Sequence, residues 1–221
     1  MLLLPTPTCE QSTCEQSPGR LLKRGERLLE PDVYLGAWGE RPAVIKDYGR
    51  YRWTPLAPLA RWLVRREARA LDRLRGWRHA PALLGTMGGL WLGMEFVPGS
   101  TLSETMAPGS HLFDQLRGAV RAMHRAGITH NDLHGANVLV FAGTPVLIDF
   151  ASALRLPRWL RHSFVGRQLR RSDLARVVKL QQRLTGRPPT AAQSALLAQP
   201  AWVTVLRRAW TRIYGWLKRA D

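Results

Sequence analysis

The chain has 221 residues, of which 45% are hydrophobic and 22% charged, and these values are ordinary for a folded protein. That length suffices for one large domain or for two small lobes with a real core. The formal net charge of +17 is unusual, and residues 151–221 hold fifteen Lys or Arg against two Asp, which contributes +13. Such a charge favours an anionic partner (nucleic acid, a phosphorylated substrate or an anionic membrane surface) over a merely solubilising surface.

The cysteine count and the hydropathy argue against a disulfide scaffold and a membrane span. Cys9 and Cys14 are the only cysteines, too few for a disulfide framework or a metal cluster, and they fit a reducing compartment. No stretch reaches the roughly 18 apolar residues of a membrane span, and the start lacks the pattern of a signal peptide. We therefore expect a cytoplasmic protein. Residues 1–19, in which TCEQS occurs twice, are expected to form a disordered tail.

Residues 20–97 alternate short strands with turns and contain one helix. Apolar residues at a period near 3.6 predict the helix, and β-rich runs bounded by Gly and Pro predict the strands. The predicted elements are a strand over Val33–Ala37, a turn over 38–42, a strand over Ala43–Lys46, a helix over Leu59–Arg75 and a strand over Leu90–Val97. Pro98-Gly99 then reads as a linker.

Residues 98–221 are mostly helical. The predicted elements are a helix over Leu112–Arg125, a hairpin of Val138–Phe141 with Pro145–Ile148, and helix throughout beyond Leu156. The order predicts an α+β fold of two lobes, an N-lobe at 20–97 and a C-lobe at 98–221 with basic C-terminal helices.

Polar side chains flank the predicted hairpin on both sides. Asp132 and Asn137 lie in the segment HNDLHGANVLV before it, and Asp149 follows it in IDFASA. Because a hairpin brings its outer ends together, Asn137 and Asp149 are expected to converge. Oxygen ligands of this kind suit Mg²⁺ in phosphoryl-transfer sites. Asp132 precedes them and can accept a proton from an attacking hydroxyl.

Four motifs resemble those of the protein-kinase-like superfamily, and they occur along the chain in the order found in that superfamily. The resemblance covers roughly Arg20 to Lys179. The spacing D-x-x-x-x-N followed by an Asp-Phe pair is the arrangement of kinase catalytic and metal-binding residues. The remaining motifs are AVIKD, which carries Lys46, RREARAL, which carries Glu67, and LGMEFVPG, which resembles the hinge with Glu95 and Val97.

The resemblance implies a minimal two-lobed kinase-like fold that uses ATP and Mg²⁺. It assigns Lys46 to the α- and β-phosphates, with Glu67 orienting it, and it assigns the backbone at Glu95 and Val97 to the adenine edge. It likewise assigns Asn137 and Asp149 to magnesium and Asp132 to the acceptor hydroxyl as the catalytic base.

Departures from the kinase pattern imply a reduced activation segment. No G-x-G-x-x-G precedes Lys46, so the phosphate loop is unusual. Asn131 replaces the arginine that reads activation-loop phosphorylation, and no A-P-E follows Asp149. His134 stands where many kinases have a lysine near the transferred phosphate. Asp173 either props the catalytic loop from a following helix or simply caps that helix.

Within the superfamily, the chain is most similar to bacterial RIO-type serine/threonine kinases and to lipopolysaccharide-core kinases of Kdo or heptose. The acceptor is thus a hydroxyl of a protein or of a glycolipid, with small alcohols as a third possibility and a non-catalytic, ATP-binding pseudokinase as a fourth.

The basic C-terminal end leaves a further choice of partner. A stripe of Leu206, Trp210, Ile213 and Leu217 beside arginines suits either a docked helix or a helix on an anionic membrane surface. The second would place the protein peripherally on the inner membrane. Nucleic acid or a ribosome fits the charge but has no motif to support it.

Overall fold

The computed structural model describes residues 19–103 and 109–198. The chain divides into two compact units, Met1–Pro98 and Gly99–Asp221. The predicted disordered tail, apart from Gly19, and the apolar stripe predicted between Leu206 and Leu217 lie outside the described residues, so both stay predictions.

The N-terminal unit contains a five-stranded antiparallel sheet and one long helix. Its elements are β1 (Arg20–Lys23), β2 (Asp32–Trp38), β3 (Arg41–Asp47), α1 (Ala57–Arg73), β4 (Leu83–Met87) and β5 (Trp91–Glu95). The strand order is β1-β2-β3-β5-β4. Helix α1 packs against β4 and β5. Ile45, Leu92, Val64 and Leu71 are fully buried in this unit and belong to its core.

The turn between β2 and β3 is shorter than the sequence predicts. Only Gly39 and Glu40 lie outside the strands, and Gly39 has a φ of +61°, which glycine adopts at low cost. Pro42 was predicted to lie in the turn but pairs with Ala37 in the sheet. A proline is tolerated near the start of a strand, and its carbonyl still accepts a bond from the Phe96 amide at 3.2 Å.

The C-terminal unit is mainly helical with two small antiparallel sheets. Its helices are α2 (Ser110–Arg125), α3 (Arg158–Arg161), α4 (Phe164–Thr185) and α5 (Ala191–Leu197). Its strands are β6 (Ser100–Thr101), β7 (Ile128–Thr129), β8 (Val138–Phe141), β9 (Thr144–Leu147) and β10 (Leu154–Arg155). The sheets run β6-β8-β9 and β10-β7. Phe113, Leu116, Val120 and Met123 of α2 are fully buried in the core.

Helix α4 positions much of the C-terminal unit, and its ends are well defined. Ser163 caps the start by accepting a bond from the Gly166 amide at 3.1 Å, and Gly186 ends the helix with a φ of +66°. Continuous helix beyond Leu156 was therefore too simple a prediction, because Gly186 and Pro189 separate α4 from α5. Within the parts that the structure describes, no helix is both long and apolar enough to cross a membrane.

Candidate active site

A buried ion pair links β3 to α1 in the N-terminal unit. The Lys46 Nζ lies 2.7 Å from the Glu67 Oε1, and the two side chains are only 8% and 1% exposed. Buried charges of opposite sign are stable in a protein interior when they pair and form hydrogen bonds. The structure thus joins Lys46 to Glu67, the ion-pair partner that the kinase resemblance implied, and the role of Lys46 in binding phosphates stays a prediction.

The predicted hinge begins at the end of β5. The Glu95 amide donates to the Ala82 carbonyl at 2.9 Å, and the Glu95 carboxylate accepts a bond from the Ala82 amide at 3.1 Å. Val97 lies beyond the strand, and its backbone has no hydrogen-bond partner among residues 19–103 and 109–198. Binding of an adenine edge would therefore use the Glu95 carbonyl and the Val97 backbone.

The loop between β1 and β2 lies where the kinase resemblance places the glycine-rich loop. Hydrogen bonds among its own residues and to Tyr51 fix its conformation. The Gly25 amide donates to the Asp32 carboxylate at 2.7 Å, and the Leu29 amide donates to the Tyr51 hydroxyl at 2.8 Å. The Glu30 carboxylate accepts hydrogen bonds from the backbone amides of Glu26 and Arg27. A hydrogen bond from Lys23 is the main reason that the pKa of Glu30 falls to about 2.

Arg50 also holds this loop by hydrogen bonds. Its guanidinium donates to the carbonyls of Gly25 and Glu30, and a Cβ on Gly25 would lie 2.4 Å from the Glu30 carbonyl oxygen. Glycine is thus required at position 25 for a close backbone approach rather than for loop flexibility. The sequence predicted an unusual phosphate loop, and its conformation follows from these bonds.

Hydrogen bonds join Asn137 to Asp132 and to Ile148, the residue before Asp149, at one end of the β8-β9 hairpin. The Asn137 amide nitrogen donates to the Asp132 carbonyl at 2.9 Å, and the Ile148 amide donates to the Asn137 carbonyl at 3.0 Å. Val138 pairs with Leu147 directly beside them. The hairpin predicted that Asn137 and Asp149 converge, and the structure joins Asn137 to the residue directly before Asp149.

The chemistry of Asn137 and Asp149 fits magnesium. The Asn137 side-chain nitrogen is bonded within the loop, so its oxygen is the atom that remains to act as a ligand. One amide oxygen and one carboxylate are typical of sites where substrate phosphates and water complete the coordination of Mg²⁺. In the described part of the chain, no group of three His, Cys, Asp or Glu residues offers an alternative metal site.

Asp173 holds the catalytic loop from α4. Its side chain is fully buried and accepts bonds from the His130 amide at 2.9 Å, from the Asn131 amide at 2.8 Å and from His124 Nε2 at 2.9 Å. The residue lies deep inside α4, so the interpretation of Asp173 as a helix cap is wrong. The interpretation as a prop is confirmed by the two loop amides it binds.

His130 and Asn131 brace the loop from within. Burial lowers the pKa of His130. Its Nε2 lies 3.1 Å from the Ile148 carbonyl, which can only accept, so Nε2 is the donor. Asn131 has a φ of +66° and donates from its side chain to the Ser152 carbonyl at 3.0 Å. It ties the catalytic loop directly to the segment after Asp149.

Arg176 lies near Asp132, and no sequence motif pointed to it. Arg176 Nη1 lies 3.3 Å from the Asp132 Oδ1, whereas His134 Nε2 lies 3.8 Å from the Asp132 Oδ2. Arg176 follows Asp173 by three positions and so lies on the same face of α4. The spacing of three residues between Asp173 and Arg176 could have predicted that Arg176 reaches the loop. That prediction requires knowing that Asp173 faces the loop.

Comparison with known proteins agrees with this geometry. The RIO domain family matches residues 46–183, more than half of the chain and a range that contains every predicted site residue. This chain belongs to the RIO domain family. The RIO domain is a protein-kinase-like family, so the predicted α+β kinase-like fold is confirmed and the RIO part of the resemblance is correct.

The RIO domain chain is also similar to an archaeal protein. It is 32% identical over 139 residues to a protein of Methanothermobacter thermautotrophicus named "Probable bifunctional tRNA threonylcarbamoyladenosine biosynthesis protein". The aligned region covers 60% of this chain and 25% of that relative, so the chain spans about a quarter of the relative's length. Neither match is to a lipopolysaccharide-core kinase, and that part of the resemblance stays a prediction.

Proposed function

We propose that this RIO domain protein is a phosphotransferase that moves the γ-phosphoryl group of Mg-ATP to a hydroxyl group. Its preferred acceptor in this proposal is a serine or threonine of a protein, and its location is cytoplasmic. The observation that carries the proposal is the hydrogen-bonded arrangement of Asp132, Asn137 and the residue before Asp149 at one end of the β8-β9 hairpin.

Each residue has a stated role in the proposal. Lys46, held by Glu67, neutralises the α- and β-phosphates. Asn137 and Asp149 hold Mg²⁺, which supplies charge neutralisation on the phosphates when it is bound. Asp132 orients the acceptor hydroxyl and takes its proton. Catalysis by these groups consists mainly of positioning and electrostatic stabilisation.

Substitutions at the two aspartates separate chemistry from binding. Asp132→Ala should leave ATP binding intact and slow turnover by roughly 10²- to 10⁴-fold, the contribution typical of a positioned base. Asp149→Asn should instead weaken Mg²⁺-dependent ATP binding in titration calorimetry, and Asn tolerates the left-handed backbone at this position. Asp72→Asn, at an exposed carboxylate paired with Arg75, is the matched control.

Parent-like turnover in both variants would mean that the site is assigned to the wrong residues. A protein that binds ATP without any Mg²⁺ dependence would fit a pseudokinase module better than an enzyme.

A second candidate is a nucleotide-dependent role in RNA modification. Two observations favour it, the net charge of +17 and the similarity to a relative whose name refers to tRNA modification. Incubation of the protein with labelled ATP and separate protein, lipopolysaccharide, tRNA and ribosome fractions distinguishes the acceptors. Label in protein alone supports the first proposal, and label in lipopolysaccharide supports a glycolipid acceptor at the inner membrane. ATP turnover that tRNA stimulates without becoming labelled supports the RNA role.

A further inference from the structure

A positive charge from α4 lies beside the proposed catalytic base. Arg176 and Asp132 form an ion pair at 3.3 Å, and their side chains are 40% and 47% exposed. Only Nη1 of the guanidinium has a hydrogen-bond partner in the described part of the chain. The other donors of Arg176 are thus available to a ligand that approaches Asp132.

Stability alone does not account for this ion pair. Ion pairs as exposed as this one typically contribute little to the free energy of unfolding. Asp173, one helical turn earlier, already joins α4 to the catalytic loop through the backbone amides of His130 and Asn131. The fold therefore has little need of a second link at Asp132, and the charge of Arg176 calls for a different explanation.

The catalytic loop itself lacks a permanent cation. Its residue two positions after Asp132 is His134, which carries a full charge only when protonated and lies beyond hydrogen-bond distance of Asp132. An arginine keeps its charge throughout the physiological pH range and binds phosphate oxygens with two donors at once. Arg176 is the arginine that the fold brings to this place.

We propose that Arg176 is a catalytic residue that stabilises the phosphoryl group during its transfer. This inference rests on the proposed function. In the step, the acceptor oxygen forms a bond to the γ-phosphorus while the bond from that phosphorus to the β,γ-bridging oxygen breaks, and ADP leaves with the electron pair. The hydroxyl proton passes to Asp132. Arg176 keeps one donor on Asp132 and turns another toward the negative phosphoryl oxygens.

Three variants of α4 test this role. Arg176→Ala should lower kcat by about 10²- to 10³-fold, the loss typical when one preorganised donor to a transition state is removed. Arg176→Lys should keep the charge but lose the two-donor geometry, and it should fall between the alanine variant and the parent. Arg183→Ala removes an exposed arginine of the same helix and should match the parent.

Two further measurements separate catalysis from structure. Calorimetric titration with a non-hydrolysable Mg-ATP analogue should give the same affinity for Arg176→Ala and the parent, and their melting temperatures should agree. Added guanidinium ion at low millimolar concentration should raise the rate of Arg176→Ala but not that of the parent. A residue with a purely structural role would not respond to this rescue.

The possible results decide the matter. A slow, normally folded, guanidinium-rescued Arg176→Ala supports the inference. An Arg176→Ala as fast as the parent, faster than it, or slow with a lowered melting temperature and no rescue overturns the inference and leaves the proposed function standing. A folded parent that releases no ADP from Mg-ATP with any acceptor fraction overturns both.

Discussion

Asp173 offers the sharpest test of how the catalytic loop is held. Its carboxylate accepts three hydrogen bonds in a site with no solvent exposure, two from backbone amides and one from His124. Hydrogen bonds to a charged partner contribute about 1.5–3 kcal/mol each. Alanine at this position loses all three, so the expected loss is about 4.5 kcal/mol or more, a large part of the 5–15 kcal/mol typical of a whole protein.

Asn is the more informative substitution at position 173. An asparagine keeps the shape, and its single oxygen can replace the Oδ2 that accepts from His130 and His124. Its nitrogen then faces the Asn131 amide, donor against donor. One bond is lost, and the expected destabilisation is about 2–3 kcal/mol.

Urea unfolding measured by circular dichroism gives the stability, and amide hydrogen exchange at Asn131 gives the local effect. Asp114→Asn, at an exposed carboxylate paired with Arg117, is the control and should change stability by less than about 1 kcal/mol. If Asp173→Asn stays within about 0.5 kcal/mol of the parent and the Asn131 amide exchanges at an unchanged rate, the hydrogen bonds cannot hold the loop as described.

Four other outcomes are expected. Glu67→Ala leaves the Lys46 ammonium buried without this partner and should cost about 3–5 kcal/mol in urea unfolding, whereas a loss under about 1 kcal/mol would contradict a buried pair. Burial lowers the pKa of His130 in the folded chain. As the pH drops below 6.5, the ordinary pKa of histidine, the unfolded chain therefore binds a proton at this residue before the folded chain does. Stability should therefore fall as the pH drops below that value and stay level above it, and His130→Gln should lose this part of the slope. Gly25→Ala should lower the melting temperature because its Cβ meets the Glu30 carbonyl, whereas Gly118→Ala, which has open space, should not. Phosphatase treatment should leave turnover unchanged, since Asn131 fixes the loop without a phosphate; a large loss of rate would refute this.

The sequence predicted much of the fold because its signals were local. Periodic apolar residues and glycine stops place α1 and α2 within two residues of their observed ends. Strand β4 was missed because Gly85 interrupts Leu83–Met87 and the segment shows no clear alternation of apolar and polar residues. Its place in the sheet depends on pairing with β5, which a local pattern does not contain.

The arrangement of the site could be predicted for residues that a single hairpin brings together. Asn137 and Asp149 were expected to converge because a hairpin joins them, and the structure agrees as far as the backbone bond between Asn137 and Ile148. The partners of Asp132 were not predictable in this way. Arg176 is 44 residues away in sequence, and it reaches the aspartate only because the buried Asp173 fixes how α4 faces the loop.

The left-handed backbone at Asp149 has a consequence for tracing the ancestry of this protein. Its φ of +62° and ψ of +73° favour Gly, Asn and Asp for steric reasons, whatever chemistry the side chain performs. A homologue without the proposed phosphoryl transfer would still favour one of these three residues, because the turn after β9 needs this backbone conformation. Asp132 has no such backbone constraint. In a set of homologous sequences, replacement of Asp132 would therefore indicate loss of the proposed activity more reliably than any change at position 149.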